Sequence, residues 1–212
     1  MPRLPKPESP RTASPRTSSS RTAHASHEVR IIGGIWKRTR LSVVDKPGLR
    51  PTPDRVRETL FNWLGQDLGG WRCIDVFAGT GVLGFEAASR GAREVLVIEQ
   101  DAELVDRLRA TQARLSASAV RVERGNGLTV LARLAPGAMD AIFLDPPFDA
   151  GLYDKALAAC APVLSPEGFV DLEAPEKWTD ERLAPFLLAL YRHMKAGAVH
   201  AHLLSHLAPA GS

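Results

Sequence analysis

Residues 72–99 read RCIDVFAGTGVLGFEAASRGAREVLVIE. A short apolar run without polar alternation leads into a glycine-rich turn, a helix-length apolar segment and a second apolar run that ends on an acid. Strands that lack alternation are covered on both faces, so this stretch predicts a strand, a helix and a parallel strand at the centre of a sheet. Working outward, the unit repeats. The apolar runs are CIDVFA, EVLVIE, AVRVE, MDAIFLD and FVDLE, with helical segments expected at 82–90, 101–115, 127–134 and 152–164. Connections this short require right-handed crossovers and place helices on both faces of a mostly parallel sheet. Towards the C-terminus, LLALYRHM and VHAHLLSHL are separated by Lys195-Ala196-Gly197. They predict a hairpin, which makes the sheet seven-stranded with an antiparallel end.

Upstream of this α/β domain, 71–212, two further parts are expected. Residues 29–70 hold VRIIGGIWKRTRLSVV, which predicts a small hairpin turning at Gly33 and Gly34 with Arg38 and Arg40 on one face of its second strand. Thr52 is then expected as the N-cap and Pro53 as the first residue of an amphipathic helix that carries Val56, Leu60, Trp63 and Leu64 and stops by Gly69-Gly70. Residues 1–28 repeat Ser, Pro, Arg and Thr with little to bury and are expected to be disordered. Charge divides along the same lines: five Lys/Arg against two acids in 1–28, eight against three in 29–60, and fourteen against nineteen beyond. A basic front end on an acidic body points to an anionic partner.

Some classes fall away. The longest apolar run, Leu183–Tyr191, has nine residues with a proline inside, against about 20 for a membrane-spanning helix. The first residues lack a secretory signal's apolar stretch, and Cys73 and Cys160 form no disulfide framework or metal-ligand pattern. A reduced, cytoplasmic protein without a membrane segment or metal is expected, with both cysteines in the core.

In sheets of this kind ligands bind beyond the carboxyl ends of the strands. Asp75 ends the first strand, Phe77 follows, and Gly79, Gly81 and Gly84 form a glycine triplet; Glu99 ends the second strand. The triplet alone matches a dinucleotide fingerprint, and an NAD-dependent oxidoreductase is the competing reading. A carboxylate at Asp75 opposes a diphosphate and suits a cofactor with a cationic amino-acid end. S-adenosylmethionine has an ammonium, a sulfonium and ribose hydroxyls that need an acceptor such as Glu99. Asn126, at the third strand end, either meets the adenine or caps the next helix. The fourth strand ends in Asp145-Pro146-Pro147-Phe148. The Asp145 carboxylate and Pro146 carbonyl can accept the two N–H bonds of an exocyclic amine, Pro147 stiffens the turn, and Phe148 can stack on the base.

Asp75-x-Phe77-x-Gly79-x-Gly81 with Asp145-Pro146-Pro147-Phe148 resembles the Rossmann-like class I S-adenosylmethionine-dependent amino-methyltransferases. Arg30-Ile31-Ile32-Gly33-Gly34 and the stretch from Leu49 to Asn62 are similar to the bacterial RsmD family, which methylates a guanine N2 in 16S ribosomal RNA. The resemblance runs from Val29 to near the C-terminus. It implies that Asp75, Phe77, Gly79, Gly81, Glu99 and Asn126 hold the cofactor and that residues 145–148 hold the target base. It further implies that Arg50 to Arg57 cover the site and that the substrate is RNA in a partly assembled small subunit. Arg30, Lys37, Arg38, Arg40, Arg50, Arg55 and Arg57 form the expected phosphate platform, although Arg55 and Arg57 do not share a helical face, and a monomer is expected. The alternatives are an adenine-N6 or protein-glutamine methyltransferase, which usually carries asparagine at the Asp145 position, and a non-catalytic RNA-binding assembly factor. Asp171 and Glu173 share a strand face expected to be solvated, and His193, His200, His202 and His206 are expected at a water-facing sheet edge rather than on a metal.

Overall fold

The computed structural model describes residues 28–44, 46, 52–147 and 150–207. Residues 1–27 of the expected tail, Arg50 and Phe148 lie outside them. Two short strands, β1 (Glu28–Arg30) and β2 (Arg40–Ser42), pair antiparallel and are followed by α1 (Asp54–Trp63). The alternating body comprises β3 (Arg72–Asp75), α2 (Val82–Ser89), β4 (Glu94–Glu99), α3 (Ala102–Arg114), β5 (Val120–Arg124), α4 (Gly127–Leu131), β6 (Met139–Leu144), α5 (Ala150–Cys160) and β7 (Leu164–Ala174). A short helix α6 (Asp180–Leu183) and a 3₁₀ turn (Ala184–Phe186) lead into β8 (Leu188–Ala196) and β9 (Val199–His206).

The seven strands lie in the order β5-β4-β3-β6-β7-β9-β8, parallel from β3 to β7 and antiparallel in the final hairpin. Chain order reverses between β3 and β6, which makes their carboxyl ends the switch point of the sheet. Val95, Val97, Phe143 and Leu203 face one core with α1, α2 and Leu108 of α3; Ile74, Ile98, Ile142 and Leu172 face the other with α4 and α5. Val29, Ile31 and Leu41 of the small hairpin join the first of these cores, so the basic segment is packed onto the sheet.

Several local expectations change. The hairpin does not turn at Gly33 and Gly34 alone: residues 33–38 form an extended turn in which Arg38 has φ +70°, so Arg38 and Arg40 share no strand face. The two glycines serve packing. A Cβ on Gly34 would lie 1.8 Å from the Ser89 carbonyl oxygen, and the Ile35 N–H donates to that oxygen at 2.8 Å. Pro53, not Thr52, is the N-cap of α1, without a side-chain cap bond; the Thr52 carbonyl instead accepts from Arg57 Nε at 3.0 Å. The helix expected to reach residue 164 ends at Cys160, before Pro162, which cannot continue it, and residue 164 already begins β7. The histidine hairpin does form one edge of the sheet, with His193 on the edge strand β8, but β9 with His200, His202 and His206 lies between β7 and β8, and His202 is fully buried instead of facing water.

Candidate functional site

The register places the acids. Asp75 of β3 pairs with Phe143 of β6, which pairs with Asp171 of β7, so both carboxylates point to the face covered by α1 and α2. One step past the paired residues Leu144 and Leu172 come Asp145 and Glu173. Four acids from three strands thus meet at the switch point.

Asp75 is only 4% exposed, and its Oδ2 accepts the Gly84 N–H at 3.0 Å. Burial, with smaller contributions from Glu99 and Glu173, pushes its pKa up to about 7 despite that bond. Glu99 is organised by backbone donors: Gly79 N–H to Oε2 at 2.9 Å, and Gln100 and Asp101 N–H to Oε1 at 2.7 and 2.9 Å. A carboxylate offers about four acceptor positions, so Glu99 retains capacity for a ligand hydroxyl. The glycines hold the turn itself. Gly79 and Gly81 have φ of +53° and +73°, a Cβ on Gly81 would lie 2.3 Å from Leu108, and one on Gly84 would lie 2.8 Å from Val97. Their presence follows from the strand-to-helix turn; the ligand chemistry rests on the acids. Phe77 is half-buried beside them. Asn126 takes the capping role, its Oδ1 accepting the Thr129 N–H at 3.1 Å.

Asp145 is half-buried, Pro146 is buried and Pro147 is exposed. Burial first, then the nearby charges of Glu173 and Asp75, raises the Asp145 pKa well above the usual carboxylate range. Asp171 and Glu173 are not on a solvated strand face. At 2% and 4% exposed they lie beneath α1, because β9 continues the sheet past β7 and leaves β7 internal. Both Asp171 oxygens and Glu173 Oε1 are buried without a hydrogen-bond partner, as is the hydroxyl of Tyr153. The Tyr153 phenol is pushed up to about 12 by burial, then by Asp145, Glu173 and Glu176. Burial raises the Glu173 pKa, and the Thr52 side chain and the Arg57 charge offset part of that rise.

The basic residues divide. Lys37, Arg38 and Arg55 are exposed and take part in no ion pair among the described residues. Arg30 and Arg40 are exposed as well, with Asp54 and Glu28 respectively at 2.8 Å. Arg57 is fully buried and is not part of a phosphate platform. Its Nη2 donates to Asp54 at 2.6 Å and its Nη1 to Glu86 at 3.4 Å. Glu86 is the residue that sequence reasoning missed. Fully buried in α2, it accepts the N–H groups of Ile32 and Gly33, both at 2.7 Å, and Arg90 Nε at 2.9 Å. Its signal was an acid inside the apolar segment VLGFEAAS. Apart from this site, His193 Nε2 lies 2.9 Å from His200 Nδ1, while both ring nitrogens of His202 are engaged by Trp178 N and Leu172 O.

The donor set tests the cofactor. The charges that perturb Asp75, Asp145 and Asp171 are other carboxylates, so a diphosphate would meet net repulsion. A ligand with an ammonium and a sulfonium would relieve it. The residues fit S-adenosylmethionine and disfavour a dinucleotide.

The family model described as "Conserved hypothetical protein 95" matches residues 29–205. The chain is 45% identical over 132 residues to Ribosomal RNA small subunit methyltransferase D of Escherichia coli K12, a match that spans 62% of this chain and 66% of that relative. It is 38% identical over 169 residues to the protein of the same name from Haemophilus influenzae, spanning 74% of this chain and 88% of that one. The solved structure of yhhF from Escherichia coli superposes with a TM-score of 0.74 at 37% identity, covering 86% of this chain and all of the other. The acid-ended strands, the Asp145-Pro146-Pro147 turn and these matches agree: the chain belongs to the RsmD family of S-adenosylmethionine-dependent methyltransferases.

Proposed function

We propose that this protein transfers a methyl group from S-adenosylmethionine to the exocyclic N2 of a guanine in 16S ribosomal RNA, within an assembling small ribosomal subunit, as a cytoplasmic monomer. The carrying observation is the convergence of Asp75 and Asp145 across the switch point, in a setting where every perturbing charge on them is negative. The names of the relatives from Escherichia coli and Haemophilus influenzae support the RNA substrate. Among the described residues no helix is long and apolar enough to cross a membrane.

Bound, the cofactor supplies an electrophilic methyl group. Asp75 and Glu99 would hold its ammonium and ribose hydroxyls, with Phe77, Gly79, Gly81 and Asn126 around them. The Asp145 carboxylate and Pro146 carbonyl accept the two N–H bonds of the target amine and fix the direction of its nitrogen. The raised proton affinity of Asp145 suits it to take the proton that the methylated nitrogen releases. Pro147 stiffens this turn, and Phe148 supplies a stacking surface for the base. A guanine inside a stack cannot reach Asp145, so the base is turned out of its neighbours. Arg30, Lys37, Arg38, Arg40, Arg50 and Arg55 contact phosphates and fix register without reading sequence; the basic tail adds a salt-sensitive share of affinity.

The test is methyl transfer from labelled S-adenosylmethionine to protein-free 16S RNA and to small subunits from cells lacking the enzyme, followed by digestion to nucleosides. N2-methylguanosine, made best on the particle, is expected. Label in N6-methyladenosine or in protein would overturn the assigned acceptor, and failure to bind the cofactor at all would favour a non-catalytic binder.

A further inference from the structure

Buried polar groups in native proteins are nearly always paired, and an orphan is costly unless something outside the chain satisfies it. On β7 beside Asp145, and separately in α5, this protein leaves two kinds of orphan. Glu173 Oε1 and both Asp171 oxygens are acceptors; the Tyr153 hydroxyl is a donor and comes from a different element, α5. Tyr153 is 4% exposed and packs with Trp178 in the core on the α4/α5 face, so its hydroxyl is assigned no contact with the base. Asp171 lies deeper on β7, and Glu173 is the orphan level with Asp145. Thr52 and the positive charge of Arg57 act on Glu173 from the α1 side and favour its carboxylate, while Oε1 has no partner.

The hydrogen-bonding edge of guanine carries two adjacent donors, N2–H and N1–H, and one acceptor, O6. Adenine places an acceptor at N1. With the exocyclic amine held by Asp145, N2 of guanine or N6 of adenine, the neighbouring N1 position requires an acceptor for guanine and a donor for adenine. We infer that Glu173 accepts the N1–H of the target guanine through Oε1 and so determines which purine is methylated, a reading that rests on the function proposed above.

The test uses 2-aminopurine, which keeps the 2-amino group of guanine but has a bare N1 acceptor and no O6. Small subunits are reconstituted with guanine or 2-aminopurine at the nucleotide that wild-type enzyme labels, and kcat/KM is measured for wild type and Glu173→Gln. The glutamine is isosteric, can still accept from Thr52, and can donate to a bare N1. Sites built to bond a substrate N–H reject analogues lacking it by large factors. Wild type is therefore expected to prefer guanine by about 100-fold or more, and the preference is expected to shrink in Glu173→Gln to within about tenfold, with 2-aminopurine turnover maintained or raised. A merely structural role would lower both substrates together and leave the ratio intact, and that result overturns the inference. So does a wild-type enzyme that methylates the two bases equally, a result that needs no variant to fold. If wild type makes no N2-methylguanosine on the guanine particle, the functional reading itself fails and takes this inference with it.

Discussion

Replacing Glu86 with alanine removes the centre of the network that ties the basic segment to the cofactor domain. Its carboxylate accepts from Ile32 N and Gly33 N at 2.7 Å, Arg90 Nε at 2.9 Å and Arg57 Nη1 at 3.4 Å, and it forms an ion pair with Arg90 Nη2 at 2.8 Å. Glu86 and Arg57 are fully buried and Arg90 nearly so. Arg57 keeps Asp54, and water can reach the half-exposed Ile32 and Gly33 amides, so the main loss is the acid between two enclosed guanidinium groups. Removing one partner of a buried pair costs about 3–5 kcal/mol. With a urea m-value of about 2.5 kcal/mol/M, the unfolding midpoint should fall by roughly 1.5 M. Glu86→Gln keeps one acceptor oxygen and the shape, and about half the loss is expected. Hydrogen exchange at Ile32, Gly33 and Trp36 should accelerate in both variants beyond the global change, because the loop loses its anchor. A loss below about 1 kcal/mol, with exchange of those amides unaltered, would refute the assignment of Glu86 as the anchor.

Two further outcomes follow from the charges. The Asp75 pKa is raised in the folded state to about 7, above the value of about 3.9 expected unfolded, so the native state binds the proton more tightly and this group's contribution falls as pH rises from about 4 to 7. Asp75→Asn, which can still accept the Gly84 N–H, should gain about 2–3 kcal/mol on wild type between pH 5 and pH 8 in urea unfolding without cofactor; an identical difference at both pH values would contradict the assignment. Lys37→Ala and Arg38→Ala should each weaken RNA binding and flatten its log–log salt dependence by roughly 0.7–0.9 per contact, whereas Arg57→Gln should lower stability with the slope unchanged; titrations at several salt concentrations separate the two.

The sheet was legible because its strands are unbroken apolar runs, and the short segments between them leave few ways to connect parallel neighbours. The acids at the ends of β3, β4 and β6 could be read for the same reason, since the strand ends fall where the apolar runs stop. What depended on tertiary packing did not come through. Arg57 looks like any helical arginine in its local sequence; only the approach of α2 encloses it with Glu86. Asp171 and Glu173 alternate with apolar residues as a half-solvated strand does, and only the pairing of β9 onto β7 with α1 above it buries them. Gly33 and Gly34 signalled a turn correctly but gave no hint that the surface behind it is Ser89 and Arg90.

The central claim is that Asp145 holds the target amine beside a cofactor bound by other residues. The most direct measurement pairs calorimetric S-adenosylmethionine binding with labelled methyl transfer to unmodified small subunits, for wild type and Asp145→Ala. The expected result is cofactor affinity within a few-fold of wild type and loss of N2-methylguanosine formation in the variant; undiminished transfer by Asp145→Ala would contradict the account.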